Sequence, residues 1–424
     1  MTLYLTNALW LDPAATTLRE TALAVDRGPL GAVTPVERAP AGAASLDCQG
    51  MLVTRALACG HHHVYSALAR GMPPALHAPA NFPEILANIW WRLDRRLDRD
   101  MIEASALATA CACAKCGVTF VVDHHSSPNA VGGSLGLIAQ AFDRVGLGHL
   151  LCYEISGRDG PDAAQAGLEE TDAYLGSGRR GHVGLHASFT VDDELLGRAV
   201  DLARAHGAGI HMHAAEDASD QEHCRAAYGK RVIERLKDAG VLDAPGTILA
   251  HCIHLDQRER ELLRASTAWI AQNTQSNQNN AVGLGSYADL GPRVMLGTDG
   301  MHSDMLSSLR ASYLAGQGTE GLSPRAALRR LRATHALAAF CAAPGGGDNH
   351  LVVLDYDTPT DVTPDNFAAH AVYGLDARHV RHVVAQGRVI VRDRRLESVD
   401  EAEVLAFARE QARRLWDRLR DGRP

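Results

Sequence analysis

The sequence predicts an α/β protein, a (β/α)8 barrel of the TIM type joined to a small β-sandwich built from both chain ends. Two observations point to the barrel. Between residues 56 and 344, eight short apolar runs alternate with longer stretches of helical periodicity. Most of those runs end in histidine, carboxylate or amide side chains, and strand ends are where a β/α barrel keeps its chemistry. A third observation concerns the chain ends. Residues 1–55 and 345–398 carry short strand patterns broken by Gly and Pro. The expected division is a β-sandwich from 1–55 and 345–398, a barrel over 56–344, and a C-terminal helix over 399–424.

In chain order, Leu3–Leu11, Thr21–Val25 and Met51–Thr54 read as the first strands. The apolar run from Met51 to Ala58 reads as one buried strand leading into Cys59-Gly60-His61-His62-His63-Val64-Tyr65. The barrel runs are Val53–Cys59, Val118–Val122, His149–Ile155, His182–Leu185, Gly209–His213, Thr247–Ala250, Thr267–Ala271 and Arg293–Gly297. Helical patterns such as Leu195–His206 and Gln257–Ala265 fall between them. An insertion, Ala75 to Asp94, follows the first run and reads as a loop able to cover a pocket. Cys111-x-Cys113-x-x-Cys116 has the look of a soft-metal spacing, but it lies in the Ala-rich helical segment Ala104–Cys116, where small thiols pack well. After residue 350, His350–Leu354, Phe367–Tyr373 and His379–Val391 read as β-rich, with a turn at Gln386-Gly387. Val399–Leu419 reads as an amphipathic closing helix.

Bulk properties narrow the function. The 424 residues suffice for a large core, and the net charge of -8 without a basic run argues against a nucleic-acid partner. No stretch approaches the roughly 18 apolar residues of a membrane span. Met1 to Trp10 lacks the basic start and cleavage site of a signal peptide. The nine cysteines are odd in number and sit mostly in apolar segments, which fits reduced thiols in a cytoplasm.

The strand ends carry the chemistry. Alternate strand residues share a face, so His61 and His63 point one way and His62 the other. The later runs end in Asp123-His124-His125, Tyr153-Glu154, His186, His211-Met212-His213-Ala214-Ala215-Glu216, His251-Cys252-Ile253-His254, Gln272-Asn273-Thr274 and Thr298-Asp299. One histidine after an apolar run is ordinarily structural. Metal-binding residue types at the same end of most strands form a constellation.

Four stretches carry a family resemblance: Gly60–Gly71, Ile210–Glu216, Ala250–Leu255 and Leu296–Gly300. In order and spacing the chain resembles the amidohydrolase superfamily, in its branch of guanine deaminases, triazine chlorohydrolases and SsnA-type aminohydrolases. Trp90–Asp94 and Asn279–Gly283 resemble the SsnA-type subgroup. The resemblance implies that His61, His63, His213 and Asp299 hold one divalent ion, zinc first and iron as the alternative. Binuclear members use a modified lysine at the fourth strand end; here that strand ends in His186, which implies a single metal. Lys115 lies in a helical segment and cannot take that role.

A bound divalent ion lowers the pKa of its water to roughly 7, supplying hydroxide at neutral pH. The resemblance makes Glu216 the proton shuttle and His251 the group that orients the nucleophile. Asp299 serves as ligand and later as proton donor to the leaving amine. His186, Trp90 and Trp91 are expected to contact substrate. The implied reaction is hydrolytic deamination of an amino-substituted purine-, pyrimidine- or triazine-like ring. The alternatives are C–N ring opening or dehalogenation at the same site, and a catalytically silent binding relative. The expected partners are a small heterocyclic substrate and a second copy of the chain in a homodimer. Arg55-Ala56 and Cys59 depart from the family's usual Pro-Gly and Asn/Asp before the first motif, and Gln272-Asn273-Thr274 from its His-Asn-Pro. Asp123, His124 and His125 have no role implied by the sequence.

Overall fold

The computed structural model describes residues 2–12 and 16–421. Both chain ends contribute to one nine-stranded sheet. Its N-terminal strands include Thr2–Leu11, Leu18–Asp26 and Leu52–Arg55, and its C-terminal strands include Leu351–Leu354, Val380–Ala385 and Arg388–Arg392. The two ends meet where Leu52–Arg55 runs antiparallel to Leu351–Leu354. Alternation buries Leu3 and Leu5 on one face; an irregularity at Asn7, with φ of 50°, precedes the buried Ala8 and Trp10. The expected turn at Gln386-Gly387 joins two strands of this sheet, with both residues at positive φ.

Eight parallel strands make the barrel: β1 Leu57–His62, β2 Val118–His125, β3 Gly148–Tyr153, β4 Val183–Ala187, β5 Ile210–Ala214, β6 Ile248–His251, β7 Trp269–Gln272 and β8 Val294–Leu296. Hydrogen-bonded pairing runs β1-β2-β3 and β4-β5-β6-β7-β8. Parallel bridges Ile155↔Leu185 and His62↔Asp299 join the two runs at their edges, so the strands follow one another around a closed ring. At the second junction the backbone N–H groups of Thr298 and Asp299 both donate to the His61 carbonyl, each at 3.0 Å. That approach needs Gly297: a Cβ there would lie 2.9 Å from the His61 carbonyl oxygen and 2.3 Å from Asn273 Oδ1. Helices Arg99–Lys115, Ser134–Val145, Pro161–Gly176 and Asp193–His206 follow β1 to β4 in turn.

Three expectations are corrected. The run from Met51 to Ala58 is two strands. It breaks at Ala56, whose N–H donates to the His350 carbonyl at 2.9 Å, so Leu52–Arg55 stays in the terminal sheet while β1 starts the barrel. Phe367–Tyr373 is a helix, because its buried residues Phe367, Ala368, Ala371 and Val372 follow a helical period. The insertion expected as a loop is helical over residues 82–94, with Asn81 Oδ1 accepting from the Glu84 N–H at 3.0 Å as its cap.

The closing helix spans Glu401–Arg420 and buries Val404, Ala408, Gln411 and Leu415, one stripe at helical spacing. Residues 422–424 of that expected segment lie outside the described residues. Lys115 ends its helix in an ion pair with Glu401 at 2.7 Å.

Candidate active site

The strand ends bring His61, His63, His213 and Asp299 together, with one ligand atom of each lying within 4.8 Å of the others. His61 ends β1, His63 follows it, His213 lies on β5, and Asp299 follows β8. Asp299 and His251 both sit at positive φ, 53° and 72°, an unfavourable region for residues with a side chain. The paired N–H bonds to His61 fix the first, and the Tyr287 hydroxyl, donating to the His251 carbonyl at 2.7 Å, fixes the second.

The hydrogen bonds determine which ring nitrogens carry protons. His63 Nδ1 faces the His124 carbonyl at 2.6 Å, and His213 Nδ1 faces the His186 carbonyl at 3.0 Å. A carbonyl only accepts, so both Nδ1 atoms carry hydrogen and, in neutral rings, both Nε2 atoms present lone pairs. Those Nε2 atoms lie 3.2 Å apart, and Asp299 Oδ1 lies 2.9 Å from that of His63. His61 Nε2 is buried with no hydrogen-bond partner, and its Nδ1 meets His211 Nε2 at 2.9 Å. Three imidazoles and a carboxylate converge here, with carbonyls turning Nε2 of His63 and His213 toward the set, and this donor set fits a divalent cation.

Glu216 and His251 flank one side of this set. His251 Nδ1 meets Asn277 Oδ1 at 2.8 Å, which aims its Nε2 toward Glu216 at 3.5 Å and Asp299 Oδ2 at 3.8 Å. Ser276 Oγ donates to that same Oδ2 at 2.5 Å. Burial, then the negative charge of Asp299, push the Glu216 carboxyl well above the usual carboxylate range.

The other side holds Glu154, just past β3. One oxygen lies 3.2 Å from His124 Nδ1 and the other 3.5 Å from the Arg158 guanidinium. Arg158 also pairs with Asp94 and, at 3.1 Å, with Asp159. Burial opposes ionisation of Glu154, but His186, His124 and Arg158 together outweigh it and hold the carboxyl well below its ordinary value. Asp94 is pushed up to about 6, burial prevailing over Arg158. A cavity opens over the ligand set. Trp90, Trp91 and His186 line it, as do Tyr65, Phe82, Leu86, Asp94, Glu154 and Glu216. The Trp91 and His186 rings meet edge to face at 5.9 Å.

All the residues singled out in the sequence thus border one cavity or the ligand set beneath it. His62 lies outside the cavity wall, its Nδ1 3.9 Å from Asp123 Oδ1. Asp123 Oδ1 accepts the Val64 N–H at 2.8 Å and so fixes the turn after His63. His125 is buried beside Ser127, and Cys59 Sγ rests 3.3 Å from Thr298 Oγ1. Glu154, Asp94, His211, Ser276, Asn277 and Asn280 were not singled out as site residues. Glu154, His211 and the amides after β7 each stood at a strand end, which was the available signal. Asp94 had none.

The family model described as Amidohydrolase family matches residues 52–332. The chain belongs to the amidohydrolase family. This amidohydrolase is 29% identical over 396 residues to a 5-methylthioadenosine/S-adenosylhomocysteine deaminase of Pelotomaculum thermopropionicum, covering 88% of each chain. It is 28% identical over 347 residues to a 5'-deoxyadenosine deaminase of Methanopyrus kandleri, covering 77% of this chain and 78% of that one. Among solved structures it resembles a zinc-bound adenosine deaminase from Xanthomonas campestris, with TM-score 0.83, 19% identity, and coverage of 97% and 98%. It also resembles a zinc complex of atrazine chlorohydrolase from Arthrobacter aurescens, with TM-score 0.82, 17% identity, and coverage of 97% and 100%. The barrel fold, the superfamily and the hydrolase class read from the sequence are borne out.

Proposed function

We propose that this amidohydrolase deaminates an amino-substituted N-heterocycle, converting a ring C–NH2 and water into a ring carbonyl and ammonia. Its deaminase relatives support the reaction class. The observation that carries the reading is the convergence of His61, His63, His213 and Asp299 within 4.8 Å beside Glu216, with carbonyls turning Nε2 of His63 and His213 toward the set. In this reading His61, His63, His213 and Asp299 hold one divalent ion, zinc before iron. When bound, the ion supplies a Lewis acid that makes water a nucleophile at neutral pH.

The residues do the rest. Glu216 takes the proton from the attacking water and delivers it to a ring nitrogen. A carboxyl pushed upward suits both halves of that transfer. His251, its ring fixed by Asn277, holds the water on the side of Glu216 and Asp299. Asp299 takes the remaining proton of the oxygen newly bonded to carbon and passes it to the departing amine, as the carbonyl forms and ammonia leaves. Trp90, Trp91 and His186 orient the ring. A homodimer in the cytoplasm completes the reading; nine free thiols suit a reducing compartment.

The test is a screen of aminated purines, pyrimidines and triazines for ammonia release, run beside metal analysis, chloride release and ring absorbance. Ammonia equal to ring-carbonyl product, with about one metal per chain, is the expected result. Loss of ring absorbance or release of chloride without ammonia would overturn it.

A further inference from the structure

The cavity wall has a one-sided charge. Among the described residues it includes Asp94, Glu154, Glu216 and Asp299, and no lysine or arginine. Asp299 belongs to the ligand set and Glu216 to proton transfer, which leaves Asp94 and Glu154 facing whatever part of the substrate lies beyond the reacting carbon. The cation nearest them is Arg158, whose side chain is 5% exposed. Its guanidinium is shared by Asp94, Glu154 and Asp159 and lies 5.2 Å over the Trp91 ring, so it is not offered to the cavity. His186 does not substitute for it, since its Nδ1 is engaged by Thr190 Oγ1 at 2.7 Å.

Glu154 reaches the ligand set itself, since its carboxylate, His186 and His213 offer atoms within 4.8 Å of one another. A substrate ring placed over the ligands therefore lies against this carboxylate. An ionised carboxylate only accepts hydrogen bonds, so the ring edge that meets it must donate. A carboxylate or phosphate on the substrate meets like charge there, and the one cation behind that wall, Arg158, is already shared among three carboxylates.

We propose that this site selects neutral or cationic aminated heterocycles that present an N–H edge to Glu154, and that it rejects rings bearing a carboxylate or phosphate tail. The proposal rests on the deaminase reading and adds the charge of the substrate to it. A nucleoside or free base fits; a nucleotide, or a nucleoside carrying a lone carboxylate, does not.

The experiment uses the metal-loaded enzyme and matched panels in which one aminated ring carries a neutral, a cationic or an anionic substituent. Adenosine, an aminoalkyl adenosine, adenosine monophosphate and an adenosine 5'-carboxylate form one panel; cytosine and guanine series form others. Ammonia release gives kcat/KM, and thermal-shift titration gives binding independently of turnover. Neutral and cationic members should exceed the anionic member by about 100-fold or more in whichever ring is used. In Glu154→Gln that ratio should fall about tenfold, through KM for the anionic member. Equal binding or turnover of the anionic member overturns the proposal even if ammonia is released. Binding confined to neutral and cationic members with no ammonia from any ring supports the charge selection and overturns the deaminase reading. No binding by any member overturns both.

Discussion

Glu216 and Glu154 stand on opposite sides of the same four ligands, and their surroundings treat them oppositely. Glu216 is buried beside another carboxylate, Asp299, and its nearest imidazole, His251, is pushed down by burial, so its carboxyl is driven upward. Glu154 is as deeply buried, but the Arg158 guanidinium and the contact with His124 hold it ionised. Burial alone thus does not set the behaviour of a carboxyl; the sign of its neighbours does. Two carboxyls pushed apart in this way divide the work: one moves protons, the other stays a fixed negative wall.

The comparison can be broken from either side. The largest effect is expected from Asp299→Ala, which removes a ligand and the charge that raises Glu216. Metal content should fall from about one per chain to near zero, measured by elemental analysis, and turnover with it. Full metal retention would take Asp299 out of the ligand set.

Next comes Glu154→Gln, which takes the carboxylate from His124 and leaves Arg158 with Asp94 and Asp159, at a cost of about 1–3 kcal/mol at neutral pH. The sign follows from the lowered carboxyl. Its ionised form stabilises the fold above the ordinary value of 4.5, and that contribution is lost as the pH falls through the lowered folded-state value. The difference in melting temperature between variant and wild type should therefore be largest near pH 7 and shrink below about pH 4.5. A gap that widens toward acid would show that Glu154 is not held ionised.

A smaller effect is expected beneath the ligands. His211 Nε2 meets His61 Nδ1 at 2.9 Å, and its own Nδ1 lies 3.6 Å from Cys152 Sγ, so the pair fixes which His61 nitrogen faces the ion. His211→Ala should weaken metal binding by about 10–100-fold in a chelator competition, with activity restored by excess metal. Unchanged affinity would remove His211 from that role. The smallest effect is expected from Asn277→Ala, which frees the His251 ring. We expect kcat to fall about tenfold with KM and metal content unchanged.

The sequence made the Glu216 side far more legible than the Glu154 side. His61, His63, His213, Glu216, His251 and Asp299 each follow an apolar run directly, so spacing and barrel geometry place them together. The Glu154 wall is assembled from distant pieces. Asp94 comes from a helical insertion 64 residues before its partner Arg158, which lies over the Trp91 ring of the same insertion. No periodicity encodes that meeting. Elsewhere the misreadings share one cause: short apolar stretches suit more than one element. Phe367–Tyr373 has strand-like composition but buries a helical stripe, and Met51–Ala58 is apolar across a break made by a hydrogen bond to His350.

The most direct test compares wild type and Glu216→Gln in one assay, measuring ammonia release and bound metal on the same samples. Glutamine keeps the shape of the side chain and removes the proton carrier. The variant should retain about one metal per chain and lose about 10²–10⁴ in kcat. Undiminished ammonia release by a metal-replete Glu216→Gln enzyme would contradict the mechanism proposed here.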